Sequence, residues 1–316
     1  MDPQIYEISR AVVAPGLAGA VLLGVLWRPW RRHARDAHTA LAPPPPAPAG
    51  SMTGLTLGAA FVASMLIAQG YHGLWPTDTT RRLLWAPVLG LLVTGVGWAG
   101  LRFGVRWLGA LGVLLGAFVL AWSLAEHRRR NGWSGAEIPI WTGLWTLAIA
   151  GGWGVLVWSA ARRPGPWIAL TLSAACAALG LVLKNAGIGS LGQLAGVLSA
   201  WLGFTFLLGL WNRSFTLSGA AAHVLAACVS GLVILGYTTA PEPSPRIGLG
   251  LIVLTIAVIA PGALMAQRAR ENEIPWRRLL VDGVVIVLFA GASAITSVPP
   301  PVEDEDDGLS DLYQSF

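Results

Sequence analysis

The sequence predicts an all-α integral membrane protein, a polytopic bundle of about ten transmembrane helices. Three observations carry that expectation. The 316-residue chain is 54% hydrophobic and only 12% charged, with a mean hydropathy of +0.62, too apolar for a soluble domain of this length. Long apolar runs recur almost to the C-terminus, separated by short arginine-marked breaks. Sixteen tryptophans gather mainly at the ends of those runs.

A helix rises 1.5 Å per residue, so crossing a hydrocarbon core of ~30 Å takes about 20 residues. The runs that meet this length are 11–27, 54–75, 83–101, 107–125, 140–161, 167–184, 191–211, 219–240, 247–266 and 279–298. Residues 1–27 hold the N-terminal segment and the first helix. Asp2 and Glu7 precede that run where a cleavable signal would carry basic residues, so it is expected to stay as an anchor.

Residues 28–52 form a basic and proline-rich linker that joins Arg28, Arg31, Arg32 and Arg35 to Pro43–Pro46 and Pro48. Consecutive prolines favour an extended polyproline II tether. Residues 53–298 form a bundle of about nine helices, with breaks too short for a soluble domain. Pro299–Pro301 stop the last helix, and Glu303, Asp304, Glu305, Asp306 and Asp307 open an acidic tail, 299–316, expected to be disordered. Its closing Leu309, Leu312, Tyr313 and Phe316 read as a frayed terminus.

Charge placement sets an orientation. The formal charge is +5, but the basic residues cap apolar runs and form no stripe on a soluble fold. Anionic headgroups of the bilayer are therefore the expected partner, possible further membrane subunits the second, and nucleic acid is not expected. Most Lys and Arg residues fall in the odd-numbered breaks, which the positive-inside rule puts in the cytoplasm with both termini outside. Arg128–Arg130 dissent, falling in an outer break. All basic residues except Lys184 are arginine; with the abundance of Ala, Gly, Pro and Trp this suggests a GC-rich bacterial genome and a plasma (inner) membrane location.

Trp27, Trp30, Trp75, Trp85, Trp107, Trp141, Trp158, Trp167, Trp211 and Trp276 stand at or near span ends, as an interfacial belt requires. Trp98, Trp153 and Trp201 lie deeper and need packing or a hydrogen-bond partner. Gly112/Gly116 and Gly192/Gly196 have the four-residue spacing that lets helix backbones approach closely. Cys176 and Cys228 sit inside apolar runs without ligand or redox spacing and read as small packing residues.

An ionisable group at mid-membrane costs ~2.5–3.5 kcal/mol on insertion scales, so such groups mark function. The deepest thirds of the spans contain none, which weighs against a proton pump or a carboxylate-coupled transporter. The polar candidates lie nearer the boundaries. Asp282 follows Arg277 and Arg278 at helical spacing, where a helix-dipole and ion-pairing role is the plainer explanation. His223 near a span end reads as a hydrogen-bonded packing residue, with no second histidine at ligand spacing. His72, Asp78, Arg81 and Arg82 after the second span, Glu126, His127 and Arg128–Arg130 after the fourth, and Glu137 at the fifth share one face. They line a polar vestibule if those helix ends are neighbours, although solvated loop charges that bind headgroups are the plainer reading. Trp75–Thr80 reads as a turn capping the next helix.

No metalloprotease, serine-hydrolase, P-loop or dinucleotide signature is present, and no cofactor or metal is expected. The leading function is a non-catalytic structural or accessory membrane component. The alternative is a transporter of a small neutral or amphipathic solute, without a mid-membrane carboxylate, using Gln69, Gln193, Ser and Thr hydroxyls and the deeper tryptophans. A membrane enzyme at the outer polar cluster ranks third.

Overall fold

The computed structural model describes residues 9–27, 49–69, 80–105, 107–162, 167–211, 217, 219–239, 248–250 and 291. All regular structure among them is helical. A π-helical turn, Ser9–Val13, leads into α1 (Ala14–Trp27), followed by α2 (Ala49–Gln69). A 3-10 turn, Arg81–Leu84, opens α3 (Trp85–Arg102), which is followed by α4 (Trp107–Leu124) and the short α5 (Glu126–Asn131). The chain continues through α6 (Glu137–Arg162), α7 (Trp167–Asn185), α8 (Gly189–Trp211) and α9 (Ala220–Thr239).

Among the described residues six stretches are long and apolar enough to cross a membrane: 81–102, 107–124, 137–161, 168–185, 189–210 and 220–239. Ala14–Val25 and Met52–Ile67 are shorter apolar helices. The protein is thus an all-helical membrane bundle. The expected spans 247–266 and 279–298 lie outside the described residues apart from 248–250 and 291, as do linker residues 28–48 and the acidic tail. Helix α2 begins at Ala49 rather than at 54. Hydropathy marks only the immersed part of a helix, and the backbone continues beyond it wherever its sequence allows.

Glycine contacts fix the helix directions. Gly109 approaches Gly97 and Gly116 approaches Val93, so α3 and α4 run antiparallel. Gly192 faces Gly180 and Lys184, making α7 and α8 an antiparallel hairpin. Gly16 meets Ala200 and Gly24 meets Leu208, so α1 runs parallel to α8. Gly54 meets Ala220 and Gly58 meets Val224, so α2 runs parallel to α9. With Gly90 against Val224 and Gly231 against Leu83, which set α3 antiparallel to α9, these pairings fit long helices that alternate in direction along the chain, as successive membrane crossings do.

Helix α9 is the axis of the bundle. In its apolar window 83% of the residues are buried, against 28–50% for the other five spanning stretches. It packs against α2, α3, α4 and α6, with lesser contacts to α7 and α8. Its sequence, Ala-Ala-Ala-His-Val-Leu-Ala-Ala-Cys, is small enough to be surrounded. A Cβ on Gly90 of α3 would lie 2.6 Å from Val224 Cα and 2.8 Å from the His223 carbonyl oxygen, so only glycine permits that crossing. Lipid offers no hydrophobic drive between helices, so such close van der Waals contact carries much of the association.

The buried polar side chains among the described residues are all Ser or Thr. Several return their hydroxyl to their own helix, as Thr146 does to the Thr142 carbonyl at 2.7 Å and Thr238 to that of Ile234 at 2.9 Å. Between α7 and α8, Ser173 and Ser199 each donate to the other's carbonyl at 2.8 Å. Cys176 and Cys228 are buried and free. The glycine pairs expected at contacts are found there, Gly112 and Gly116 against Val96 and Val93, and Gly192 and Gly196 against Gly180 and Val12.

The deeper tryptophans divide. Trp153 and Trp201 are fully buried, whereas Trp98 is 61% exposed, with the Arg102 guanidinium carbon 5.4 Å from its ring centroid. The expectation that Trp98 packs inside is therefore corrected. It stands one turn before the Arg102 end of α3 and turns outward, where indole and guanidinium share the interface.

Candidate functional site

Two places bring polar chemistry together. The first lies where α6 crosses α9. Trp145, Ile149, Gly152, Trp153 and Leu156 form one helical stripe facing Ala226, Val229, Ser230 and Val233. Between them is a half-open, almost wholly apolar cavity of about 50 Å³. At one end the Trp153 indole Nε1 donates to Nδ1 of His223 at 2.9 Å. Nδ1 accepts, so the ring is neutral there and its proton sits on Nε2. At the other end Trp145 meets Tyr237 edge-on, with ring centroids 4.8 Å apart. The Trp145 indole nitrogen is buried without a hydrogen-bond partner.

The second place is the end of the bundle where α3 begins and α4 and α9 finish. Glu126 opens α5 and forms ion pairs with Arg82 and, one turn on, with Arg130. Arg82 also donates to the Ser123 carbonyl at 3.3 Å, and Arg129 donates to that of Trp122 at 2.7 Å. Arg128 reaches across to the Thr238 carbonyl at 3.1 Å, tying α5 to the end of α9. The last carbonyls of a helix lack partners within it and carry partial negative charge, so guanidinium groups settle there. Arg129 lies over the Trp122 ring, its guanidinium carbon 3.7 Å from the centroid. Burial lowers the Arg129 pKa from its ordinary value, opposed by the Glu126 charge. A guanidinium stays charged at neutral pH all the same, so burial creates demand for a counter-charge.

Of the expected residues, the structure brings Arg82 and Glu126 together, as a shared outer face requires. Glu137 stands apart, exposed at the start of α6. Its carboxylate accepts from the Ser134 backbone N–H at 2.7 Å, and its own N–H donates to the Ser134 carbonyl at 2.9 Å. This is the carboxylate half of a Ser-x-x-Glu capping box, with a backbone turn bond in place of the Ser hydroxyl bond. Glu137 makes no ion pair among the described residues. His127 falls within α5. His223 is held by Trp153, distant from this end. His72 and Asp282 lie outside the described residues, as does the turn from Trp75 to Thr79. Thr80, which that turn was expected to use as a cap, precedes the 3-10 turn without a side-chain cap hydrogen bond.

Sequence reading did not find the Arg129–Trp122 stack or the α6/α9 cavity. Trp122 and Arg129 are seven residues apart, two helical turns, which is the signal that was available. No group of three or more His, Cys, Asp or Glu residues suited to a metal occurs among the described residues. No family model matches the chain, and no curated protein is significantly similar to it.

Proposed function

We propose that this protein is a non-catalytic structural or accessory component of a bacterial plasma membrane, crossing it about ten times. The observation that carries this reading is the environment of α9. An axis helix buried along its length, and approached by glycine backbone at Gly54 and Gly90, leaves no evident route for a solute through the described bundle. The uncharged polar content of that core, Ser and Thr only, fits a role in packing. Further membrane subunits and anionic lipids are the natural partners of such a component, and nucleic acid is not.

The test uses the native thiol at mid-helix. Cys228, on α9, should stay unmodified by a water-soluble maleimide in intact membranes and react only after denaturation. Labelling from either side would reveal water at the bundle axis and overturn the reading. Purification in mild detergent should also yield a partner in fixed stoichiometry.

The α6/α9 cavity favours a second reading, transport of a small neutral or amphipathic solute. The unpartnered Trp145 indole and Ser230 are the polar groups along its otherwise apolar wall. Its small volume and the tight α3/α9 contact weigh against a continuous path.

A further inference from the structure

We propose that the outward face of α4 together with Arg129 and Arg130 is a binding site for one anionic phospholipid. The proposal rests on the reading of this bundle as membrane-embedded. Among the described residues of this cluster four arginines, Arg82 and Arg128–Arg130, surround one carboxylate, Glu126, which pairs only with Arg82 and Arg130, while Arg128 and Arg129 bond to backbone carbonyls. Glu126 is spent on Arg82 and Arg130, and the Arg130 side chain nevertheless remains 74% exposed. Among the described residues Arg129 has no carboxylate partner, and its Nε is buried without a hydrogen-bond acceptor. A phosphodiester supplies the missing negative charge, reached through the exposed Arg130 guanidinium beside Arg129.

The same guanidinium is the top of an apolar ladder. Arg129 covers Trp122, Trp122 stacks on Phe118 with centroids 6.1 Å apart, and Leu115 and Leu111 continue the stripe down α4. All four of those apolar side chains are exposed, Phe118 at 45% and Trp122 at 44%. Their spacing of three to four residues keeps them on one face. A free phosphate would use only the arginines; a phospholipid uses the ladder as well, its acyl chain along the stripe and its headgroup at the guanidinium groups. The stack holds Arg129 over the interface, so little side-chain freedom is lost on binding.

The test uses full-length protein in nanodiscs containing phosphatidylcholine with phosphatidylglycerol, and native mass spectrometry of the lipid that stays bound. Phosphatidylglycerol should be retained over phosphatidylcholine. Arg129→Gln and Arg130→Gln should each weaken that preference about fivefold, and Arg129→Lys should keep more of it than Arg129→Gln. Trp122→Ala should weaken it with charge unchanged, and inorganic phosphate should not displace the lipid. In wild type, phosphatidylglycerol with a photoreactive acyl chain should cross-link to peptides covering 111–122, a result that depends on no variant. Equal retention of the two lipids, or cross-linking confined to other helices, overturns the site. Failure of the wild type to enter nanodiscs overturns the membrane reading instead, so the two failures are distinguishable.

Discussion

The Trp153 indole and the His223 imidazole are joined by a 2.9 Å hydrogen bond across the α6/α9 contact, the donor on one helix and the acceptor on the other. Trp153 is fully buried and also touches the space occupied by Gly116 of α4. One side chain thereby links three helices. Hydrogen bonds between membrane helices are modest because the unfolded chain in lipid finds other partners, averaging ~0.6 kcal/mol and reaching about 1.7. Trp153→Phe and His223→Leu should each destabilise the bundle. Their double-mutant cycle should show a coupling in that range, read by denaturation in detergent. A coupling of zero would remove the bond from the account of how α6 is held.

Gly90 and Gly95 lie five residues apart on α3, and the structure separates them sharply. A Cβ at Gly90 would collide with the α9 backbone, while one at Gly95 meets nothing within 4 Å. Gly90→Ala should cost about 1–3 kcal/mol through overpacking. Gly95→Ala should be neutral, or stabilising by up to about 1 kcal/mol through helix propensity. Melting temperatures of the two variants in the same detergent decide the point, and equal values would contradict the close α3/α9 crossing.

Glu126 connects the opening turn of α3 to α5 through Arg82 and Arg130. Its side chain is only 14% exposed, so replacing it leaves Arg82 without its counter-charge in a partly desolvated place. Glu126→Gln should lower stability by about 1 kcal/mol. The gap between variant and wild type should narrow as ionic strength rises, because screening weakens the pair that the variant lacks. A deficit independent of salt would assign Glu126 a packing role.

Much of this architecture was legible because lipid imposes simple rules on a sequence. Apolar length gave α3, α4 and α6 to α9 nearly to their ends but not the charged α5, and glycine spacing gave contacts at Gly112, Gly116, Gly192 and Gly196. The centrality of α9 was less legible, since its hydropathy resembles that of its neighbours; only its run of small residues hinted at it. Trp98 and Trp153 show the same limit from another side. Both lie within apolar runs, but helical phase turns one outward to Arg102 and the other inward to His223. The polar end was half legible: the sequence put Arg82 and Glu126 on one face but left open whether their helix ends are neighbours, and the diversion of Glu137 into a local cap required the Ser134 geometry.

That cap makes its own prediction. The Glu137 carboxylate closes the first turn of α6 by accepting from Ser134, and it shares in none of the Glu126 ion pairs. Glu137→Ala should therefore raise amide hydrogen exchange at Ser134 and in the first turn of α6, leaving α4 and α5 unchanged. Phosphatidylglycerol retention should be unaffected as well. Loss of lipid preference in this variant would place Glu137 in the arginine cluster rather than in a cap.

Arginine placement and helix alternation together give the expected direction of the bundle in the membrane. Helices α2 to α4 and α6 to α9 alternate, and with the two expected spans beyond 247 the chain crosses an odd number of times between Pro48 and Phe316. Reporter domains fused after these two residues should therefore report opposite compartments, with the Pro48 fusion cytoplasmic. The same side for both would mean that one of the two C-terminal runs does not cross. Opposite sides with the Pro48 fusion outside would keep the helix count and invert the map. The Arg128–Arg130 end would then face the cytoplasm, where the positive-inside rule gives a basic cluster its preferred place.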